Sequence, residues 1–207
     1  MTKVKLKLPV LFLFVVALVI LPVLTMKFVS TEPSEEVTDY TMDEVIESEL
    51  PVINQTTTII NPYTDPSVSI KKGYYDYKAD EDSQLSSIVK HDNTYIQNTG
   101  IDYVGENTFD VVSILNGTII NVKDDEELGK SVEIKHDNGM ISIYQSLSEV
   151  YVTKDTIVTQ GLVIGKSGEN KLDKDLGNHL HFEIYENGGE VNPLNYLNTE
   201  ISLEKGN

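Results

Sequence analysis

The sequence predicts an all-β ectodomain, mainly of antiparallel sheets, behind one N-terminal transmembrane helix. Three observations predict it. Residues 9–26 form an uncharged apolar run, a series of short segments with period-two apolar patterning follows Gly100, and turn residues separate those segments.

The apolar run, PVLFLFVVALVILPVLTM, is long enough to cross the hydrocarbon core of a bilayer. Lys3, Lys5 and Lys7 precede it, whereas Lys27 alone follows before an acidic stretch. The excess of cations on the first side makes residues 1–8 a cytoplasmic tail and puts everything after 9–26 outside. A cleaved signal peptide has a shorter apolar region ending at a small-residue site, and no such site is present, so the run reads as an uncleaved anchor. Residues 27–61 form an acidic linker: between Glu32 and Glu49 there are eight acids and no base, a composition that opposes a packed core.

The chain carries 33 acidic and 16 basic residues, a net charge of −17, and every base is lysine. That sign excludes nucleic acid as a partner, because phosphate contacts need cations. With no cysteine, disulfides and thiolate metal ligands are also excluded.

The domain proper is assigned to residues 62–198, with a loose tail at 199–207. QLSSIVK at 84–90 has helical spacing. Strands follow in DVVSIL, GTIINVKD, SVEIKH, MISIYQSL, VIGKS and HLHFEIYE. In SVEIKHDNGMISIYQ, Val132 and Ile134 alternate with polar residues, Asn138-Gly139 supplies a turn, and Ile141 and Ile143 resume the alternation, which is a β-hairpin signature. GLVIGKS at 161–167 resembles a phosphate loop only superficially: it has three residues between its glycines instead of four, and no helix follows.

His179 and His181 sit two apart in a predicted strand, so both imidazoles share one face while Leu180 and Phe182 share the other. Such a pair is a natural start for a zinc site. GNHLHFEIYENGGEVNPLNYL, together with the upstream blocks NTGIDY, VEIKHDNGMISIYQSL and VTQGLVIGKSG, resembles the lysostaphin/LytM-type zinc endopeptidases over residues 98–197. The resemblance implies a LytM-like fold of the duplicated-hybrid-motif type. It also implies a zinc held by two histidines and an aspartate, with two further histidines assisting attack on a peptide bond in cell-wall cross-links.

Carried over residue by residue, Asp102 and His181 match two ligands, and Asn98 stands where the other histidine ligand belongs. His179 matches one catalytic histidine, and Ser146 replaces the other. A catalytic zinc has three protein ligands, and an asparagine oxygen is a harder donor than zinc prefers. Serine is neither general acid nor general base near neutral pH. The expectation is a pseudoenzyme with no catalytic residue in working order and no cofactor, zinc being absent or weakly bound at a remnant site. His136 reads as structural. His91, eleven residues before Asp102, reads as an ordinary surface histidine.

Lysines before a single anchor, an acidic spacer and YQSLSEV at 144–150 resemble the sporulation branch of this family. That implies a protein of the forespore membrane whose domain lies in the intermembrane space. There it would bind a mother-cell membrane partner of the stage III sporulation protein AH type and support engulfment and an intercellular channel. Peptidoglycan is a second candidate partner, and the partner-binding residues are unassigned. Two other classes stay open: a working zinc endopeptidase recruiting His91, and a degenerate activator of a cell-wall amidase. Replacing Asn98→His should raise zinc affinity by more than about tenfold, or roughly 1.4 kcal/mol. An unchanged calorimetric titration would remove Asn98 from the ligand position.

Overall fold

The period-two segments after Gly100 form strands in a computed structural model that describes residues 55–203. The predicted anchor at 9–26 and the linker up to residue 54 lie outside the described residues. In chain order the first elements are β1 (Gln55–Thr58), β2 (Ser69–Lys72), helix α1 (Glu81–Ser86), β3 (Ile88–His91), β4 (Thr94–Gln97) and β5 (Ile101–Val104). Then come β6 (Asp110–Val112), β7 (Gly117–Asp125), β8 (Gly129–His136), β9 (Ile141–Val150) and β10 (Ile157–Val158). The last are β11 (Val163–Ser167), β12 (His179–Glu186), β13 (Gly189–Val191) and β14 (Glu200–Leu203).

One antiparallel sheet runs in the order β10-β7-β8-β9-β12-β5-β2. β11 joins it along the second half of β9 and carries β6 on its other edge, while β13 extends β12. The branch point is a β-bulge. Lys130 of β8 pairs with Leu147 of β9, but Val132 already pairs with Tyr144, so β9 carries one extra residue there. Ser146 takes up the distortion with φ of 63°, a left-handed backbone that costs a non-glycine residue about 1–3 kcal/mol.

Inside the sheet, Ile101, Tyr103, Ile119, Val132, Ile134, Tyr144, Ile164, Leu180, Phe182 and Ile184 form a contiguous buried core. Tyr144 and Phe182 stack at a tilt with ring centroids 5.2 Å apart. The alternation predicted for β8 holds, but β9 presents the opposite face: Ser142 and Tyr144 are buried opposite Ile134 and Val132, while Ile141 and Ile143 are half-buried beside Lys135 and Glu133. The buried hydroxyls explain the inversion. Ser142 Oγ meets His136 Nε2 at 2.7 Å and donates to Tyr144 Oη, which in turn accepts from the Ile114 amide at 3.0 Å. A polar residue is stable in a core position when its hydrogen bonds are complete.

The helix expected at 84–90 is displaced. α1 starts after its cap Asp80, whose carboxylate accepts from the Ser83 amide, and it stops at Ser86. The β-branched Ile88 and Val89 then favour a strand, giving the two-stranded β3–β4 hairpin. At the domain's edge, β1 lies within the segment assigned to the linker and pairs with β14, which lies within the segment assigned to the tail. Ile59, next after β1, is fully buried.

Where β5 begins, Gly100 lies so close to β12 that an added Cβ would sit 2.3 Å from the carbonyl oxygen of Phe182 and 2.9 Å from Glu183 Cγ. Replacement Gly100→Ala is expected to cost about 1–3 kcal/mol. The readout is a lower urea midpoint with an unchanged slope.

Candidate functional site

The register of three strands builds the site. β12 lies between β9 and β5, and His181 is paired with Asp102 on one side and Gln145 on the other. Directly paired residues of neighbouring strands share a face with Cβ atoms about 4.5–5.5 Å apart, so the Asp102 carboxylate and the His181 ring meet. His181 Nδ1 lies 2.7 Å from Asp102 Oδ1, and its Nε2 lies 3.1 Å from Glu183 Oε1. Glu183, two residues further along the same face, also accepts from the Thr99 hydroxyl. All three side chains are largely buried, at 13% exposure for His181, 4% for Asp102 and 7% for Glu183.

With a carboxylate on each ring nitrogen, the arrangement is that of an imidazolium donating to both. Burial opposes that charge, but the hydrogen bonds and negative charges of Asp102 and Glu183 outweigh it and push His181 up to about 9. Burial also pushes Glu183 up, and its bond to His181, the nearby positive charge and Thr99 hold it below the usual carboxylate range.

Asn98 is buried just before β5 and gives its amide nitrogen to three acceptors: the Gly73 carbonyl at 2.9 Å, the Gly100 carbonyl at 3.1 Å and Asp102 Oδ2 at 3.0 Å. It therefore turns a donor toward Asp102, not the amide oxygen considered above as a metal ligand. A zinc ligand must offer a lone pair, so the amide N–H that Asn98 turns toward Asp102 does not fit the third ligand of a zinc centre. Among the described residues, no group of three or more His, Cys, Asp or Glu side chains is arranged to hold a metal ion.

His179 and Ser146 form a second cluster, both fully buried. His179 Nδ1 lies 2.7 Å from the Gly177 carbonyl and donates to it, which leaves Nε2 as the acceptor. That nitrogen receives the Ser146 hydroxyl at 2.9 Å and Asn170 Nδ2 at 3.1 Å, and Asn170 also donates to Ser146 Oγ at 2.8 Å. The bulge aims Ser146 at His179. The other two histidines lie apart from this chemistry. His136 is buried against the Asn116 carbonyl and Ser142, and burial lowers it below the ordinary imidazole range. His91 is half-buried, with its ring nitrogen 3.1 Å from the Leu172 carbonyl.

Sequence reasoning missed Glu183, Thr99 and Asn170. Glu183 was findable, being two residues from His181 on one strand face. Asn170 lies in an aperiodic loop with no signal of its own. A groove of about 190 Å³ fronts both clusters, with Val89, Ile96, Leu128 and Leu172 among its apolar walls.

The raised His181 makes a pH prediction with a definite sign. Its stabilisation is complete below pH 6.5 and is lost as pH rises through about 9. The span is on the order of 3 kcal/mol. In chelator-treated protein, the stability difference between wild type and Glu183→Gln should be present at pH 6 and shrink across that window in urea melts.

Residues 96–193 match the model of peptidase family M23. Stage II sporulation protein Q of Bacillus subtilis (strain 168) is 41% identical over 142 residues, covering 67% of this chain and 50% of that protein. The chain thus spans half the length of this curated relative. A solved SpoIIQ–SpoIIIAH pore-forming complex contains a chain 40% identical, with a TM-score of 0.66, covering 68% of this chain and 91% of that one. A second SpoIIIAH–SpoIIQ complex gives 38% identity and a TM-score of 0.64, covering 69% and 100%. With this identity across nearly all of two solved relatives, the chain belongs to peptidase family M23.

Proposed function

We propose that this protein is a catalytically inactive M23-fold protein of endospore formation that works by binding a partner. It is anchored by residues 9–26 in the forespore membrane and reaches a mother-cell membrane protein of the stage III sporulation protein AH type. The observation that carries the loss of hydrolysis is the amide of Asn98, held by three acceptors and donating to Asp102 where a zinc ligand would have to accept a cation. Zinc is then absent or weakly held. Ser146 adds to this, since its hydroxyl is spent on His179 and cannot exchange protons with a substrate near neutral pH. The partner class is supported by the relatives at 40% and 38% identity, whose structures are complexes with SpoIIIAH.

The test is affinity purification of the tagged full-length chain from sporulating cells, with metal analysis of the same preparation. A mother-cell membrane protein of that class should co-purify, zinc should be well below one per chain, and cross-linked peptidoglycan should stay intact. Stoichiometric zinc with cleavage of cross-links would overturn the reading, as would recovery of a cell-wall amidase in place of the membrane partner.

A further inference from the structure

The family match begins at residue 96, yet the segment before it walls the groove. Val89, 5% exposed and before the match, and Ile96, at its first residue, line the groove together with Leu128 and Leu172. Two ties join this segment to the chain between Gly168 and Gly177. Lys72 Nζ meets Asp173 Oδ2 at 2.5 Å, with both side chains about nine-tenths buried. His91 Nδ1 donates to the Leu172 carbonyl at 3.1 Å. Lys72 and Gly73 also lie beside the site itself, Gly73 through its carbonyl on Asn98.

The loop is held from its other side as well. The amides of Lys171 and Leu172 donate to the Glu127 carbonyl at 2.8 and 3.2 Å. Asn170 Oδ1 accepts the Asp173 amide at 2.8 Å, while its Nδ2 lies on Ser146 and His179. What remains is about 190 Å³, below the roughly 300–1,000 Å³ of pockets that enclose a small organic ligand. His179 has no exposed surface.

We propose that the segment from β2 to β4 is a built-in cover: it clamps the loop carrying Asn170 into the groove, so that the chain's own amide occupies His179 Nε2 and no extended peptide can reach it. Residues outside the family match thereby close the groove independently of the changes at Asn98 and Ser146. The inference rests on the ties of the cover and holds whichever partner the protein binds.

Diethyl pyrocarbonate reports this directly. A free imidazole nitrogen attacks its carbonyl, forming an N–C bond and releasing ethyl carbonate, and mass spectrometry locates the adduct. On the full-length chain, half-exposed His91 should be modified and His179 protected. Cutting a tie with Lys72→Met, or removing the occupant with Asn170→Ala, should speed modification of His179 by roughly tenfold, with near-ultraviolet circular dichroism unchanged. Modification of wild-type His179 as fast as His91 would overturn the cover, and so would full protection in both folded variants. If neither variant folds, hydrogen exchange on the unaltered chain decides. Lys171 and Leu172 amides should be as slow as those of β12, and exchange at the rate of an open loop would overturn the inference.

Discussion

Everything at the site depends on the register between β5 and β12. Because His181 lies directly opposite Asp102, a carboxylate and an imidazole on different strands share one small buried space. A one-residue slip of β12 would turn His181 into the core and bring Leu180 and Phe182 out, so the hydrophobic face fixes the polar one. Gly100 lets the strands come this close, and no larger residue fits against the Phe182 carbonyl. The position of the polar cluster therefore follows from the packing of the core.

The balance of charge within that cluster is consistent with this. Two carboxylates face one imidazolium, and the remaining demand for donors is met by the Asn98 amide and the Thr99 hydroxyl. Among the described side chains no buried nitrogen or oxygen lacks a partner. A buried charge pair missing one of these groups would carry a penalty of several kcal/mol, whereas a complete network is self-sufficient. Ser146 and Asn170 do the same for His179. Both halves of the site are closed hydrogen-bond circuits.

Much of this was legible in the sequence, and what was not has a physical reason. His179 and His181 declared their shared face through a spacing of two, and the motifs around Asn98 and Ser146 singled out two residues that the structure places against Asp102 and His179. The direction of the Asn98 amide was not legible, because it depends on the carbonyls of Gly73 and Gly100, one of them 25 residues away in sequence. The face of β9 was misread for a similar reason: Ser142 looks like a surface residue until His136 and Tyr144 are placed around it. The place of β3 and β4 beside the groove was not legible because they pair with each other, and His91 reaches the Leu172 carbonyl across 81 residues of sequence.

The pairing of β1 with β14 decides how mechanical load enters the domain. Any pull on the chain before Gln55 runs along β1, where β14 can be peeled away one rung at a time. It then arrives at Ile59, which is fully buried and locked by exchange of hydrogen bonds with Thr199 and Asn198 at 2.9 and 2.7 Å. The β1–β14 pair is thus the first part of the domain that such a pull would load, and the Ile59 exchange is the next.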